Sequence, residues 1–131
     1  MRTVYLFLLT VSLLFVGCKK DVKTASEILE GKWIITSQEL LANVTPSDGS
    51  YLTFNACSSA CTGTDYKASD MSSGTIEYIL NDDATQIVII DNSPDGGSYN
   101  ATWDILELTE DAFRITGSTA FGNLKIEMIK G

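Results

Sequence analysis

The chain has 131 residues, with 9 Lys and Arg against 17 Asp and Glu and no histidine, so its formal net charge at neutral pH is −8. A surface this acidic repels nucleic-acid phosphate and gains nothing from anionic lipid headgroups, which excludes nucleic acid as an expected partner unless a local basic patch exists. Without histidine the chain also lacks the ordinary general base of enzymes that work at neutral pH.

The first element along the chain is an apolar segment from Val4 to Val16, which follows Arg2 and contains no charged residue. It is shorter than the roughly 20 apolar residues of a transmembrane helix. A positive residue followed by a short apolar run is typical of a secretory signal peptide. The segment FVGC, residues 15–18 at the end of this run, resembles a bacterial lipobox, in which the cysteine is lipidated and becomes the first mature residue. We therefore predict that residues 1–17 are a lipoprotein signal peptide, with an ordinary secreted protein as the alternative.

Cys18 is then the lipid attachment site, and residues 18–26 are the lipidated cysteine and a polar tether. Each buried methylene of an acyl chain contributes about 0.8 kcal/mol, and more than one chain is needed for stable anchoring, as a bacterial lipid anchor would supply. The expected location is the cell envelope, at the outer membrane, and the sequence leaves open which face. About 105 residues follow the tether, which suits a single domain over residues 27–131.

A short helical turn precedes the first strand, because Thr24 and Glu27 have the spacing of a capping box and Gly31 supplies a stop. From there the apolar residues alternate with a period of two, as in TIEYIL and NLKIEMIK, which is typical of half-buried antiparallel strands. Eight strands are predicted, near residues 32–38, 50–57, 61–68, 74–80, 86–91, 99–109, 112–118 and 122–130.

Two strands depart from simple alternation. The segment TWDILELT changes phase, which predicts a bulge near Ile105 that would bend the strand. The segment QIVIID is apolar on both faces, so its outer face is either covered or meets a partner. Together these patterns predict an all-β fold, a compact up-and-down antiparallel barrel of about eight strands preceded by the helical turn and the signal peptide. A small β-sandwich is the competing architecture.

The order of the motifs resembles the lipocalin-like domain family of small Bacteroidetes cell-envelope lipoproteins. The resemblance rests on the Gly-x-Trp of GKWIITS, followed by YLTFN, GTIEY, TWDILELTED and LKIEMIK, and covers residues 27–131. It implies a lipocalin-like barrel on a lipid anchor, with Trp33 packed across the closed end. No arginine follows Arg114, so the stacking partner that such a tryptophan takes from the last strand is absent unless Lys125 or Lys130 replaces it.

Cys57 and Cys61 enclose the short segment SSA in a chain destined for an oxidising compartment, which favours a disulfide over free thiols or a metal site. A structural zinc site needs four Cys or His ligands, and the chain has no histidine. The segment DNSPDGG has Asp91, Ser93 and Asp95 at alternate positions, like the start of a calcium loop, but the twelfth position is not a glutamate, so a solvated turn is favoured. No metal and no cofactor are predicted.

Five large side chains fall on apolar strand faces and could line a ligand cavity: Trp33, Phe54, Tyr78, Trp103 and Phe113. Packing of the same residues into a filled core is the alternative. The predicted function is non-enzymatic binding of a small hydrophobic molecule or lipid. The alternative is a structural, protein-interaction or inhibitory lipoprotein with a filled barrel, which would use QIVIID or aromatic loop residues such as Tyr66 and Phe121. A carboxylate hydrolase is a third option, and it requires an exposed acidic pair in a cleft. The oligomeric state stays open.

Overall fold

The computed structural model describes residues 22–57, 60–94 and 96–131. The predicted signal peptide, the lipid attachment site at Cys18 and most of the tether lie outside these residues. The helix and strands of the described chain are α1 (Ala25–Leu29), β1 (Gly31–Leu40), β2 (Asn43–Pro46), β3 (Tyr51–Phe54), β4 (Thr62–Lys67), β5 (Ser72–Leu80), β6 (Gln86–Asp91), β7 (Ala101–Leu108), β8 (Ala112–Thr119) and β9 (Gly122–Lys130).

The strands form one closed antiparallel barrel. From β3 to β9 each strand pairs with the next along the chain, β3 pairs with β1, and β1 also pairs with β9, so that eight strands close on themselves. The predicted up-and-down barrel is therefore confirmed, and all eight predicted strands are present. The pairing of residues 62–67, which the sequence leaves open, runs to β3 on one side and to β5 on the other.

One strand, β2, was not predicted. The long strand β1 pairs with β3 through Gly31–Ile34 and with β2 through Ser37–Leu40. A tight turn joins β1 to β2, with Leu41 and Ala42 both at positive φ, 50° and 65°. Two such residues are typical of the turn whose twist matches a two-stranded hairpin. Every residue of β2 is exposed, so its sequence shows no alternation between a buried and an exposed face.

Two bulges bend the barrel wall. The pairing of β7 with β8 shifts between Ile105 and Glu107, which confirms the bulge that the phase change predicted. A second shift lies between Ile35 and Ser37, where β1 pairs with β9, and it was not predicted. Bulges increase local twist and let a sheet curve enough to close.

The barrel is filled by side chains. Fifteen apolar side chains of the described residues are buried, and among the largest are Trp33, Trp103, Phe54 and Phe113. The Phe113 ring lies 5.5 Å from that of Trp33 and 6.0 Å from that of Phe54. Burial of each large apolar side chain contributes about 1.5–3 kcal/mol, so this cluster is the main source of stability. An eight-stranded barrel has an interior that side chains of this size can just fill.

Helix α1 closes one end of the barrel. Its first turn has the predicted capping box between Thr24 and Glu27, and Leu29 at its end is fully buried. The indole nitrogen of Trp33 donates a hydrogen bond to the Leu29 carbonyl at 2.7 Å. The Lys130 ammonium lies 4.3 Å from the centre of the Trp33 ring and donates to the carbonyl of residue 28 at 2.7 Å. Lys130 on the last strand thus packs over Trp33 and caps the end of α1, and we call this end the closed end.

A disulfide joins Cys57 to Cys61 in the connection between β3 and β4, with 4.7 Å between the two Cα atoms. This confirms the predicted bridge. Both cysteines pack against the core at the closed end. In the part of the chain that the structure describes, no helix has the length and apolar character needed to cross a membrane.

Candidate functional site at the open end of the barrel

The end opposite α1, here called the open end, is formed by five connections: residues 41–42, 47–50, 68–71, 92–100 and 120–121. A pocket of about 220 Å³ lies between the β1–β2 hairpin, residues 98–99 and the β8–β9 turn. We call it the mouth pocket. Its lining residues are Gln38, Leu40, Thr45, Ser98, Tyr99, Thr119, Phe121 and Leu124. The lining thus combines apolar and aromatic groups with a few hydroxyl and amide groups, as small-molecule sites commonly do.

Exposed apolar side chains are present at the open end. Phe121 in the β8–β9 turn is 68% exposed, and Leu41 and Val44 of the β1–β2 hairpin are 72% and 63% exposed. Met71, on a neighbouring open-end connection, is 81% exposed. Large contiguous apolar patches mark contact surfaces, whereas single exposed apolar residues are ordinary. Of these four side chains, Phe121 lines the mouth pocket.

Tyr99 closes the barrel below the mouth pocket. It is only 3% exposed and lies just before the start of β7. The Trp103 indole donates to the Tyr99 carbonyl at 3.0 Å, and the Tyr99 amide donates to Asp91 Oδ2 at 3.2 Å. Tyr99 is thus held by one core side chain and one carboxylate.

Two carboxylates are buried near Tyr99. Asp65 on β4 and Asp91 on β6 are 1% and 4% exposed. The Ser93 hydroxyl lies 2.6 Å from Asp65 Oδ1 and is also hydrogen-bonded to Asp91 Oδ1, and the Ser93 amide donates to Asp91 Oδ1 at 2.9 Å. Gly74 makes room for this cluster, since a Cβ there would collide with the Ser93 hydroxyl and with Asp65. Buried polar groups with such partners fix one arrangement of the surrounding loop.

The pKa of the Tyr99 hydroxyl, in the wall of the mouth pocket, is raised. Burial raises the pKa of its hydroxyl, and the nearby negative charges of Asp65, Asp91 and Asp48 raise that pKa further, whereas a hydrogen bond from Gln38 acts in the opposite direction. The hydroxyl is therefore neutral at physiological pH. Three carboxylates act electrostatically on the residue that forms one wall of the pocket.

Further hydrogen bonds tie the open-end connections together. Lys67 Nζ donates to Ser98 Oγ at 2.8 Å. The Ser50 amide donates to Asp48 Oδ1 at 2.9 Å, and the amide of Ala68 donates to Ser50 Oγ at 3.1 Å. Because of its hydrogen bonds with Ser50, the pKa of Asp48 lies below its ordinary value. The mouth pocket is therefore framed by connected loops.

The five cavity residues predicted from the sequence lie deeper in the barrel. Trp33, Phe54, Tyr78, Trp103 and Phe113 are between 0% and 3% exposed, and none of them lines the mouth pocket. Phe54 packs against Tyr78 with 5.1 Å between ring centres. Tyr78 also lines a cleft of about 300 Å³ at the closed end, beside the disulfide. In this structure the five residues pack with the core, and their role in a ligand cavity stays a prediction.

The sequence did not identify the mouth pocket, although it contained two signals. Leu41 and Phe121 are apolar residues that lie between predicted strands, where polar residues are expected. Asp91 shares the inward parity of Ile87 and Ile89 in QIVIID, which indicates a buried carboxylate. Tyr66, considered above as a loop residue, lies in β4 and stacks on Tyr51 with 4.8 Å between ring centres.

Two acidic side chains near the β7–β8 turn have structural partners. Glu107 accepts from Arg114 at 2.7 Å, and Glu110 lies 2.9 Å from the ammonium of Lys23. Asp95 of the candidate calcium loop lies outside the described residues. Within the described ranges, no three His, Cys, Asp or Glu side chains come together as a metal site would require. The pair formed by Asp65 and Asp91 is buried, whereas a carboxylate hydrolase requires an exposed pair.

These features define a class of protein: a closed eight-stranded antiparallel barrel with a filled interior and a small pocket at one end. No family model matches the chain, and no curated protein matches it. Among solved structures, the chain is similar to a redesigned β-barrel, with a TM-score of 0.56 and 13% identity over 82% of this chain and 94% of that one. At this identity the likeness shows the fold alone.

Proposed function

We propose that this chain is a non-enzymatic binding protein of the cell envelope, anchored by a lipid on Cys18, whose lipocalin-like barrel binds a small hydrophobic molecule or lipid. The observation that carries the proposal is the mouth pocket of about 220 Å³ with exposed Phe121 at its edge. Burial of exposed apolar surface by a ligand is favourable at about 25 cal/mol per Å², and this pocket offers such surface beside polar groups that can orient a ligand.

The size of the pocket limits what it can hold. Sites for drug-sized molecules have volumes of about 300–1,000 Å³, so the mouth pocket suits a part of a ligand, such as one ring or the end of an alkyl chain. Because the core beneath Tyr99 is packed, that part of the ligand would bind at the surface of the open end and would not enter the barrel.

The proposed anchor fits this arrangement. The tether enters the described chain at α1, which covers the closed end, so a lipid on Cys18 would place the closed end toward the membrane and the mouth pocket away from it. The negative charge of the chain also disfavours contact of the barrel with anionic headgroups. The proposed location is therefore the outer membrane, with the open end free to meet a ligand.

The absence of histidine from the sequence supports a non-enzymatic role, because histidine is the usual acid and base at neutral pH. Burial of the acidic pair formed by Asp65 and Asp91 supports it further, since these side chains are only 1% and 4% exposed.

A second candidate function is protein interaction by a filled barrel. It is supported by an apolar strip on the outer face of β5 and β6, where Ile79 is 62% exposed, Ile90 is 43% exposed and Val88 pairs with Ile79. This strip includes the outward residues of QIVIID. An affinity pull-down with the anchored protein tests it, and no enrichment of a partner over an unanchored control would contradict it.

Native mass spectrometry tests the binding proposal. All the buried apolar residues lie between Leu29 and Met128, so a protein of residues 19–131 keeps its whole core. We expect that incubation with a lipid extract of the host envelope yields a defined added mass. Phe121→Ser should remove this mass, whereas Leu106→Ser, which changes an exposed apolar residue of the outer wall, should retain it. A bare mass under all conditions would contradict the binding proposal and favour the filled-barrel candidate.

The anchor is tested separately in cells. We expect the full chain to fractionate with membranes, with a mass that shows diacylated or triacylated Cys18 and loss of residues 1–17. Cys18→Ser should abolish both the lipid mass and the membrane fractionation. A mature protein without lipid would remove the anchor while leaving the binding proposal intact.

A further inference from the structure

The charges around the mouth pocket are unequal. Asp48, Asp65, Asp70 and Asp91 belong to the strand ends and connections of the open end. Lys67 contacts the pocket wall through its hydrogen bond to Ser98. Neither the pocket-lining residues nor the described parts of the open-end connections include another lysine or arginine. The local balance is therefore negative, like that of the whole chain.

This negative charge reaches the wall of the pocket. Asp91 Oδ2 accepts a hydrogen bond from the Tyr99 amide at 3.2 Å, the Ser93 hydroxyl links Asp91 to Asp65, and Tyr99 lines the pocket. Both carboxylates are almost completely buried, and charges that are removed from water are screened less by salt and solvent than exposed ones. An anionic group in the pocket would therefore be repelled, and a cationic one attracted.

The lining has further groups that suit a cation. Tyr99 and Phe121 supply two aromatic rings, and an ammonium group is attracted to the face of such a ring within about 6 Å of its centre. The hydroxyl oxygens of Thr45 and Thr119 and the amide oxygen of Gln38 can accept hydrogen bonds from a charged amine. Leu40 and Leu124 provide apolar surface for the remainder of the ligand.

Resting on the proposed function, we infer that the mouth pocket is selective for an organic cation, an apolar group that carries an amine or quaternary ammonium, over the corresponding carboxylate. The inference stands on the combination of a pocket with aromatic and apolar walls and the buried carboxylate of Asp91, which accepts a hydrogen bond from the amide of the pocket-lining Tyr99. It narrows the ligand class of this site, because fatty acids and acidic lipids are then disfavoured ligands.

Three six-carbon probes with the same chain test the inference: hexylammonium, 1-hexanol and hexanoate. Each is titrated into the protein of residues 19–131 at pH 7, and binding is followed by the amide NMR shifts of the pocket residues. We expect hexylammonium to bind about tenfold tighter than hexanoate, a difference that corresponds to about 1.4 kcal/mol, with hexanol between them. Higher salt should reduce the difference in affinity between hexylammonium and hexanoate. The largest amide NMR shifts should be those of Tyr99 and Phe121.

Matched variants separate the charge effect from apolar binding. Asp48→Asn keeps an acceptor for the Ser50 amide but removes one charge, so it should reduce the preference for hexylammonium. Asp82→Asn removes the same charge from an exposed turn at the closed end and should leave the preference unchanged. Phe121→Ser should weaken the binding of all three probes.

Each outcome of this experiment is decisive. Hexanoate binding as tightly as hexylammonium would overturn the charge selectivity while leaving apolar binding intact. Hexylammonium shifts spread over the outer wall, or equal effects of Asp48→Asn and Asp82→Asn, would also overturn it. No binding of any probe would overturn the inference together with the proposed function on which it rests.

Discussion

Trp33 and Trp103 each donate an indole hydrogen bond to the carbonyl of the residue four positions earlier, Leu29 at one end of the barrel and Tyr99 at the other. At the closed end, Trp33 holds a helix over an apolar interior. At the open end, Trp103 holds Tyr99 next to the buried carboxylate of Asp91. The comparison separates two roles: the closed end contributes mainly apolar packing, and the open end maintains a polar arrangement beneath an apolar pocket.

The largest expected effect is at the closed end. Trp33→Ala removes a completely buried ring, the hydrogen bond to Leu29 and the contact with Lys130, so we expect the free energy of unfolding to fall by about 3–5 kcal/mol. Urea or guanidinium unfolding measures this change. Leu106→Ala, at a side chain that is 53% exposed, should lower stability by less than about 1 kcal/mol. A loss for Trp33→Ala as small as that of Leu106→Ala would contradict the role assigned to the closed end.

The next effect is at the open end. Asp91→Ala removes the acceptor of the Ser93 and Tyr99 amides, and buried donors left without partners lower stability by about 1–3 kcal/mol. Hydrogen exchange should then become faster in residues 92–100 while α1 stays protected. Asp104→Ala, at an exposed carboxylate of the outer wall, serves as the control. Equal loosening of both ends would show that they are one cooperative unit and that the distinction between them is wrong.

Strands in which buried and exposed residues alternate clearly were predictable from the sequence. The strand positions, the bulge at Ile105 and the disulfide all follow from local patterns of alternation and cysteine spacing. The contact of Lys130 with Trp33 could not be predicted from local patterns, because a cation on the last strand has no local signature. Lys125 and Lys130 were named as candidates from the resemblance to the lipocalin-like family. Hairpin β2 was not predictable, since its residues are uniformly exposed and its turn uses Leu41 and Ala42 instead of glycine or asparagine.

The open-end site was only partly predictable because it depends on contacts between distant segments. Asp65 and Asp91 are 26 positions apart in sequence, and nothing local shows that Ser93 lies between them. The mouth pocket similarly combines Gln38 and Leu40 with Phe121 and Leu124, which come together only when the barrel closes. Local patterns identify the faces of each strand, and closure of the barrel decides which of those faces meet.

The disulfide gives a smaller expected effect at the closed end. A bridge across the five residues Cys57–Cys61 restricts the unfolded chain by about 2 kcal/mol in the loop-entropy relation. We expect the double variant Cys57→Ser, Cys61→Ser to lose about this much stability, and the wild type under reducing conditions to match it. Reductant should not affect the double variant further. Unchanged stability in both cases would mean that the bridge does not stabilise the barrel by restricting the unfolded chain.

The smallest expected effect is acid sensitivity at exposed turns. Hydrogen bonds from Ser50, Ser72 and Thr85 lower the pKa values of Asp48, Asp70 and Asp83 below the ordinary 3.8. Since these pKa values are lower in the folded state, the carboxylates contribute stability that is fully present above the unfolded-state value and is lost as the pH falls through the folded-state values.

We therefore expect the unfolding midpoint in urea to be nearly constant from about pH 7 to pH 5 and to fall below about pH 4. Ser72→Ala removes the hydroxyl that bonds Asp70 and should make the decline slightly shallower. A midpoint that rises on acidification would show that other groups dominate the pH dependence.

We propose that the open end of the barrel binds a ligand and that the packed core does not. Hydrogen exchange followed by mass spectrometry, with and without saturating hexylammonium, distinguishes these two parts of the barrel. We predict added protection in the β1–β2 hairpin, in residues 98–100 and in residues 119–124, with no change around Trp33, Phe54 and Phe113. Protection centred on those three core residues would contradict ligand binding at the open end, because it would place the ligand inside a barrel that the structure shows to be filled.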